Sequence, residues 1–506
     1  MKNYLLIGIS FLLLTFFCYH NILNNKLFYD DEELIYKNAY VADLRYFPKY
    51  FSENMVAGAG KTSNMYRPVL LLSFAIDHAI WGNNPIGYHL TSILLHATNA
   101  FLVYLLILKL FRQKSVAFLT AILFIIHPVQ TEAVAYASGR TDLLCSFFIL
   151  LSLLFFLKKN ILPAAVFFIL TILSKETAII LPFLLILISL IGKSGKHSLK
   201  KLSAIIALFF GIDFVYVLLR LTVLNFGNTL NFYQTGNLYS QNLFVRLLTF
   251  PSAFFQYLQL LIFPKELIFA RNMTYVTSIT NPAVIMFLLI TIGLFLLINK
   301  AKNKILLFSF GWFFLTILPA SGIIPINSIA SEHYLYLPSI GFFFLVASIF
   351  IFLWQKLSNR NHRIILSVFC LTVFSLLIAR TIARNNDWHD PITFYTRSLA
   401  QSPWHLPMRH NLAMAYGENK QTDLAIKEYK NLIALSDIYP NTHHNLANIY
   451  KEQGKYQEAE EEYQKAIALD QNFIFSYYAL ADLYEKTGEK EKFKEIMIKI
   501  NGLKSK

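Results

Sequence analysis

The chain has 506 residues, 56% of them hydrophobic and 15% charged, with 46 Phe and a formal net charge of +15. So apolar a composition excludes a soluble globular protein, and repeated apolar runs of 18–25 residues mark a polytopic membrane protein. Nor does the positive charge indicate nucleic acid: residues 388–506 hold 15 basic and 16 acidic side chains, so the excess belongs to the membrane part, where it reads as topology and headgroup contact.

Apolar runs predict spans at 4–20, 86–111, 115–137, 140–157, 160–174, 176–192, 200–222, 280–298, 305–319, 334–354 and 364–383. The first lacks a small-residue cleavage site and reads as a retained span. Five connections (112–114, 158–159, 193–201, 300–304 and 356–363) carry, with Lys2, fifteen Lys or Arg and no Asp or Glu. Short basic loops stay cytoplasmic, so the alternate connections, FYDDEELIY (Phe28–Tyr36) among them, face outward. A twelfth run at 243–263 would, if it crossed, turn the last two basic loops outward. The charge bias therefore predicts that it enters and returns or lies along the interface, leaving eleven crossings and an external C-terminal region. Residues 43–52 and the apolar stretch 69–81 suit helices in the headgroup plane. Cys18, Cys145 and Cys370 lie far apart inside apolar runs, which indicates neither a disulfide framework nor a thiolate metal site.

Near Trp388 polar helix formers replace the apolar runs. At a period of 34, Leu412, Leu446 and Leu480 align, as do Ala413, Ala447 and Ala481, Tyr416, Tyr450 and Tyr484, and Tyr395, Tyr429 and Tyr463. Gly454 and Gly488 align at a turn, where the first repeat has Lys420. Small residues at crossings and aromatics between them at this period are the tetratricopeptide pattern. The expected architecture is all-α: a membrane bundle of about eleven helices over 1–386, with a first external loop at 21–67, and a tetratricopeptide-repeat solenoid over 387–506. The solenoid divides into a half-repeat at 390–406 and repeats at 407–440, 441–474 and 475–506. Its concave face suits a protein partner, and a plain spacer is the alternative.

Asp30-Asp31-Glu32-Glu33 follows the first span and is flanked by Phe28-Tyr29 and Leu34-Ile35-Tyr36, which predicts a packed loop rather than a solvated acidic run. The spans also carry ionisable residues that a purely structural bundle would avoid. They include Arg67, Asp77-His78, His89, His96, His127, Glu132, Arg140, Asp142, Lys175, Glu176, Glu332 and His333. Pro128 after His127 must bend or break its helix. His89 and His96 lie one helical face apart and read as satisfied core histidines. All of the set except Asp77-His78, read as interfacial, and the deeper His96 are expected at the outer end of the bundle.

HPVQTEAVAYASGRTDLLC (127–145), SKETAIILP (174–182), SEHYLYLPSIGF (331–342), YRPVL (66–70) and GYHLTSILLHATNA (87–100) precede the repeats. In this order they resemble the transmembrane and tetratricopeptide-repeat protein O-mannosyltransferases, which are membrane-embedded glycosyltransferases of the C type (GT-C). The resemblance implies eleven or so spans, a lipid-phosphate-linked sugar donor and a catalytic acid in the first external loop. It makes Asp30 the general base and Asp31 a partner that holds donor, acceptor or a metal. His127, Glu132 and Arg140 match the polar positions of the third and fourth spans. Glu332, Tyr334 and Tyr336 match a late motif in which His333 replaces the usual Arg, so Arg140 or Arg67 carries the phosphate contact. Asp142, Lys175 and Glu176 complete the candidate donor- and phosphate-binding set.

The function expected is transfer of a sugar, mannose or another hexose, from a polyprenyl- or dolichyl-phosphate to a protein hydroxyl, by inverting single displacement. A lipid or glycan acceptor is the near alternative, a non-catalytic scaffold recruiting partners through its repeats the second, and a transporter the third. The pattern requires no cofactor, and a divalent cation stays open. The partners implied are the lipid-linked donor, a protein acceptor held by the repeats, and membrane lipids. A bias to Lys, Asn, Ile and Phe points to an AT-rich prokaryotic genome and thus to the plasma membrane, with the site and the repeats extracytoplasmic.

Overall fold

The computed structural model describes residues 2–192, 199–227, 238–269, 271, 273–323 and 328–504. Lys193 and Lys196 of the third basic connection lie outside them. The described residues form helices and turns with no strand. They divide into two compact units, Met1–His389 and Asp390–Lys506.

In the first unit the long helices are α1 (Lys2–Tyr19), α2 (Pro68–Trp81), α3 (Pro85–Phe111), α4 (Lys114–Ile126), the short α5 (Thr131–Ala135), α6 (Arg140–Leu157), α7 (Ile161–Ile172), α8 (Leu181–Ile191) and α9 (Leu199–Leu221). There follow α10 (Leu243–Ile262), α11 (Pro282–Ala301), α12 (Lys304–Ile317), α13 (Ser339–Lys356) and α14 (Arg360–Asn386). Asparagine starts many of them: the side chains of Asn84, Asn242, Asn281, Asn303 and Asn359 each accept a first-turn N–H, satisfying donors that have no carbonyl four residues back. As expected from Pro128, α4 breaks at His127, and the chain resumes at 56° to its former course.

Eight described helices, α10 among them, are long and apolar enough to cross a membrane, or nine when the broken α4–α5 pair counts as one. α10 is a single unbroken helix, and its length and hydropathy put it among the candidate spans. Both of its ends are tied to the site end of the bundle. Arg246 in its first turns donates to the Gly322 carbonyl beyond α12 at 2.6 Å. At its other end His127 contacts the Leu261 carbonyl at 3.2 Å, and Arg380 near the end of α14 donates to the Pro264 carbonyl at 3.2 Å.

The short helices shape the site. α7 has 12 residues and α8 has 11. At about 1.5 Å per residue, each reaches little more than half of a hydrocarbon core about 30 Å thick. Their shared connection begins at Lys175, and a 3₁₀ turn over Glu176–Ile180 leads from it into α8.

The second unit runs α15 (Pro391–Gln401), α16 (Leu406–Glu418), α17 (Thr422–Leu435), α18 (Pro440–Glu452), α19 (Tyr456–Leu469), α20 (Ile474–Thr487) and α21 (Lys490–Lys504). Its core is the predicted ladder: Ala413, Ala425, Ala447 and Ala459 are fully buried where helices cross, and Tyr429, Tyr450, Tyr463 and Tyr484 fill between them. The turn inside each repeat needs a left-handed residue, supplied by Gly454 (φ 76°) and Gly488 (φ 78°) and in the first repeat by Lys420 (φ 58°).

Candidate active site

The acidic loop rests on the turn that opens α6. Asp31 is buried, and its Oδ1 accepts from the Ser138 N–H at 2.8 Å and from the Ser138 hydroxyl at 2.5 Å. Asp30 is exposed, and its own N–H donates to the Tyr136 hydroxyl at 3.2 Å. Tyr29, just before it, holds φ at 62°, a left-handed conformation that an aromatic residue adopts at a cost of about 1–2 kcal/mol. Burial pushes the Asp31 carboxyl up to about 7 against the Ser138 bonds that favour its charge, and the neighbouring Asp30 raises it further. Partial burial by the surrounding protein also raises the Asp30 carboxyl, opposed by the Tyr136 hydroxyl and by the charge of Arg67. An aromatic wall stands beside the loop: Tyr136 stacks on Trp388 with ring centroids 5.1 Å apart, and Phe269 meets Tyr29 edge-on at 5.5 Å.

Around this loop the structure gathers most of the residues singled out from the sequence. Arg67 grips Glu176 in a two-point bond, with Nη2–Oε1 at 2.7 Å and Nε–Oε2 at 3.1 Å, and the Glu176 side chain is 46% exposed. Lys175 pairs with Asp142 at 2.7 Å and lies 5.8 Å from the centre of the Tyr334 ring. His333, beside Tyr334, bonds Glu132 twice, through Nδ1 at 2.6 Å and its backbone N–H at 3.2 Å. Glu332, fully buried, receives Arg384 at 3.3 Å and Arg271 at 3.5 Å.

Three expected donor-binding residues lie elsewhere. Arg140 is fully buried in an ion pair with Asp77 at 2.6 Å, donates to the Tyr88 carbonyl at 2.7 Å, and stacks over Phe74 at 4.8 Å. Asp77, read as interfacial, is instead the buried counter-ion of Arg140. His127 caps the broken helix: its Nδ1 accepts from the Val129 N–H at 3.3 Å while Nε2 faces the Leu261 carbonyl. Tyr336 is buried, its hydroxyl bonded to Asn99 at 3.1 Å and His96 at 2.8 Å. His89, at 3.1 Å from the Asn25 carbonyl, and His96 are buried core histidines, each with one ring nitrogen bonded and the other without a hydrogen-bond partner.

Tyr136, Ser138, Phe269, Arg271, Arg384 and Trp388 belong to the site and were not singled out from the sequence. A serine in a turn and isolated aromatics carry no pattern. Arg384 did carry a signal, being a cation at the outer end of a span where the charge bias disfavours one. Among the described residues no three His, Cys, Asp or Glu side chains gather at one point, and Asp31 Oδ1 accepts from Ser138.

The dolichyl-phosphate-mannose-protein mannosyltransferase family profile matches residues 67–219, and tetratricopeptide-repeat profiles match 406–438, 447–488 and 476–506. A protein O-mannosyl-transferase of Caenorhabditis elegans, F38B6.6, is 28% identical over 442 residues, covering 83% of this chain and 61% of its own. The mouse protein O-mannosyl-transferase TMTC3 is 26% identical over 411 residues, covering 73% of this chain and 44% of its own. The chain thus spans about half to three-fifths of the length of these relatives. Among solved structures, ArnT from Cupriavidus metallidurans bound to undecaprenyl phosphate aligns with 82% of this chain and 72% of its own, at 12% identity and a TM-score of 0.45. With apolar helices, mannosyltransferase-type segment and repeats in one order, the chain is a multi-pass membrane protein similar to the transmembrane and tetratricopeptide-repeat protein O-mannosyltransferases.

Proposed function

We propose that the chain is a GT-C glycosyltransferase that moves a sugar, mannose or another hexose, from a polyprenyl- or dolichyl-phosphate to a protein hydroxyl on the extracytoplasmic face of the membrane in which it sits. The observation that carries this reading is the acidic loop. Asp30 is open and next to a buried, anchored Asp31, within the field of Arg67, at the end of the bundle opposite the basic connections. The ion pairs at the Lys175-Glu176 connection, Lys175 with Asp142 and Glu176 with Arg67, support a donor whose phosphate is met by cations beside the acidic loop. An apolar groove of about 550 Å³ between α7 and α9, lined by Ile172, Leu208, Ile212 and Val215, reaches Tyr216 in the field of Arg67 and Glu176; it supports a long hydrocarbon tail.

An acceptor hydroxyl is a weak nucleophile at neutral pH. The Asp30 carboxylate, raised toward the operating pH by its surroundings, accepts the hydroxyl proton as the oxygen attacks the anomeric carbon. The bond from that carbon to the phosphate oxygen breaks, and the lipid phosphate leaves with the electron pair and one more negative charge. Attack opposite the leaving group inverts the anomeric configuration. Arg67, Lys175 and His333 are the cations or donors at the site that a developing phosphate charge would draw on, each now held by a carboxylate that it must share. The repeats carry the acceptor protein or a partner that delivers it, and the plasma membrane of a prokaryote is the proposed location. The test is Asp30→Asn in purified, reconstituted protein, supplied with a panel of radiolabelled lipid-phosphate sugars and a secreted-protein extract. Label transfer by the wild type and its loss in a variant that still inserts and folds is the result expected; wild-type turnover in Asp30→Asn would remove Asp30 from the role.

A further inference from the structure

Asp30 sits in an unfavourable place for a reactive group. It follows a left-handed Tyr29, lies beside a second acid, and is exposed to solvent. A loop of this kind stays in one conformation only if its surroundings over-determine it. Its aromatic neighbours pack on Phe269 and Trp388, and the hydrogen bonds to the two acids come from one turn, Tyr136–Arg140, which is itself immobilised. Tyr136 is pinned by its stack on Trp388. Gly139 packs so closely on α5 that a Cβ there would stand 2.7 Å from the Glu132 carbonyl oxygen. Arg140 is locked to Asp77 and the Tyr88 carbonyl. From this platform Ser138 reaches Asp31 with both its N–H and its hydroxyl, and Tyr136 offers its hydroxyl to the Asp30 N–H.

We propose that Ser138 is the positioning residue of the acidic pair: it anchors the Asp31 carboxylate, and through the adjoining peptide it fixes where the Asp30 carboxylate points. This rests on the reading of Asp30 as the base. The two hydrogen bonds also favour the charged form of Asp31, which burial disfavours. The other groups that face Asp31 are Asp30, Tyr36, Tyr136 and, at longer range, Arg140. Removing the hydroxyl therefore has two separable consequences. The loop loses a constraint, which moves the base from its place, and Asp31 becomes harder to ionise.

The experiment uses the full chain in nanodiscs and compares Ser138→Ala, Ser138→Thr and Asp31→Asn. Turnover is followed with a short-chain polyprenyl-phosphate mannose and an acceptor identified from the extract, and Asp31 is followed by the carboxyl carbon signal of ¹³C-aspartate-labelled protein. In Ser138→Ala kcat falls on the order of 10- to 100-fold, the size of effect that a misplaced catalytic group produces, with KM for the donor near its wild-type value. In the same variant the titration of the signal that Asp31→Asn removes moves to higher pH. Ser138→Thr, which keeps the hydroxyl, recovers most of both. Tyr136→Phe, which keeps the ring stack and removes the acceptor of the Asp30 N–H, lowers kcat in the same way and gives a second reading should Ser138→Ala fail to fold. Wild-type kcat in Ser138→Ala, or an Asp31 titration that does not move, overturns the proposal. An Asp31 titration that shifts while Asp30→Asn remains fully active overturns the catalytic reading instead and leaves the anchor standing.

Discussion

Arg140 offers a sharp test because two readings assign it opposite behaviour. As a phosphate ligand it would matter for donor affinity; as the buried partner of Asp77 it matters for stability. Its guanidinium is fully enclosed, with Nη1 2.6 Å from Asp77 Oδ2 and 3.3 Å from the Ser73 hydroxyl, and Nη2 2.7 Å from the Tyr88 carbonyl. Arg140→Met keeps most of the volume and removes the charge. Asp77 is then left in the interior with only the Thr91 hydroxyl, at 2.8 Å, as a donor. An uncompensated buried charge of this kind costs about 3–5 kcal/mol, and the lost stacking over Phe74 adds about 1 kcal/mol. The folded-to-unfolded ratio should fall by roughly three orders of magnitude, at about 1.4 kcal/mol per decade. Asp77→Leu should cost a similar amount, since it strands the guanidinium, whereas the double variant should recover much of the loss. A double-mutant cycle of reversible unfolding in mixed micelles gives the coupling directly, with donor KM measured on the folded fraction. Stability within 1 kcal/mol of wild type in Arg140→Met, together with a raised KM for the lipid-linked sugar, would refute the structural assignment.

A histidine in the repeats predicts a pH dependence. His443 is buried between two carboxylates, with Nδ1 2.5 Å from Glu462 and Nε2 2.5 Å from Asp437. Burial disfavours its charge, but the bonds to Glu462 and Asp437 outweigh burial and raise its pKa. A group with a raised folded pKa gives its full stabilisation below the unfolded value of about 6.5 and loses it as pH rises through the folded value. Amide exchange in α18, corrected for intrinsic pH effects, should therefore show lower protection at pH 8 than at pH 6. One repeat earlier the aligned position is Arg409, which contacts Glu428 at 2.5 Å and the Pro403 carbonyl at 2.8 Å, so His443→Arg should flatten the dependence. Unchanged protection across that range would count against the clasp. In the bundle, Gly341→Ala should destabilise by about 1–3 kcal/mol, because its Cβ would meet the Ser309 carbonyl oxygen at 2.5 Å, an atom fixed in α12. Gly293→Ala has no neighbour within 4 Å and should be neutral or slightly stabilising, which thermal unfolding of the two variants side by side will show.

Residues read from their own neighbourhood in the chain were placed well. The 34-residue ladder and the break at Pro128 depend on local composition or fixed spacing. The errors concern residues whose partners lie far away in the chain. Arg140 meets Asp77, 63 positions earlier, and Tyr336 meets His96 and Asn99, more than 230 positions earlier. A polar side chain in an apolar run announces that it needs a partner but not whether that partner is protein or substrate. The charge bias holds a finer clue. Cations at the end of the bundle away from the basic loops run against the charge bias, and several of them are spoken for. Arg220 donates to the Asn64 and Leu224 carbonyls, Arg246 to Gly322, Arg380 to Pro264, and Arg384 to Glu332. An arginine kept where topology disfavours it is kept for a contact, and most of these contacts are carbonyls that stitch loop to helix. Those that meet carboxylates instead, at Arg67, Lys175, Arg271 and Arg384, mark the places where an incoming phosphate could compete for a charge already in position. The outer-end cations that pair with acids, rather than the full set of buried polar residues, are therefore the sequence feature nearest to the chemistry.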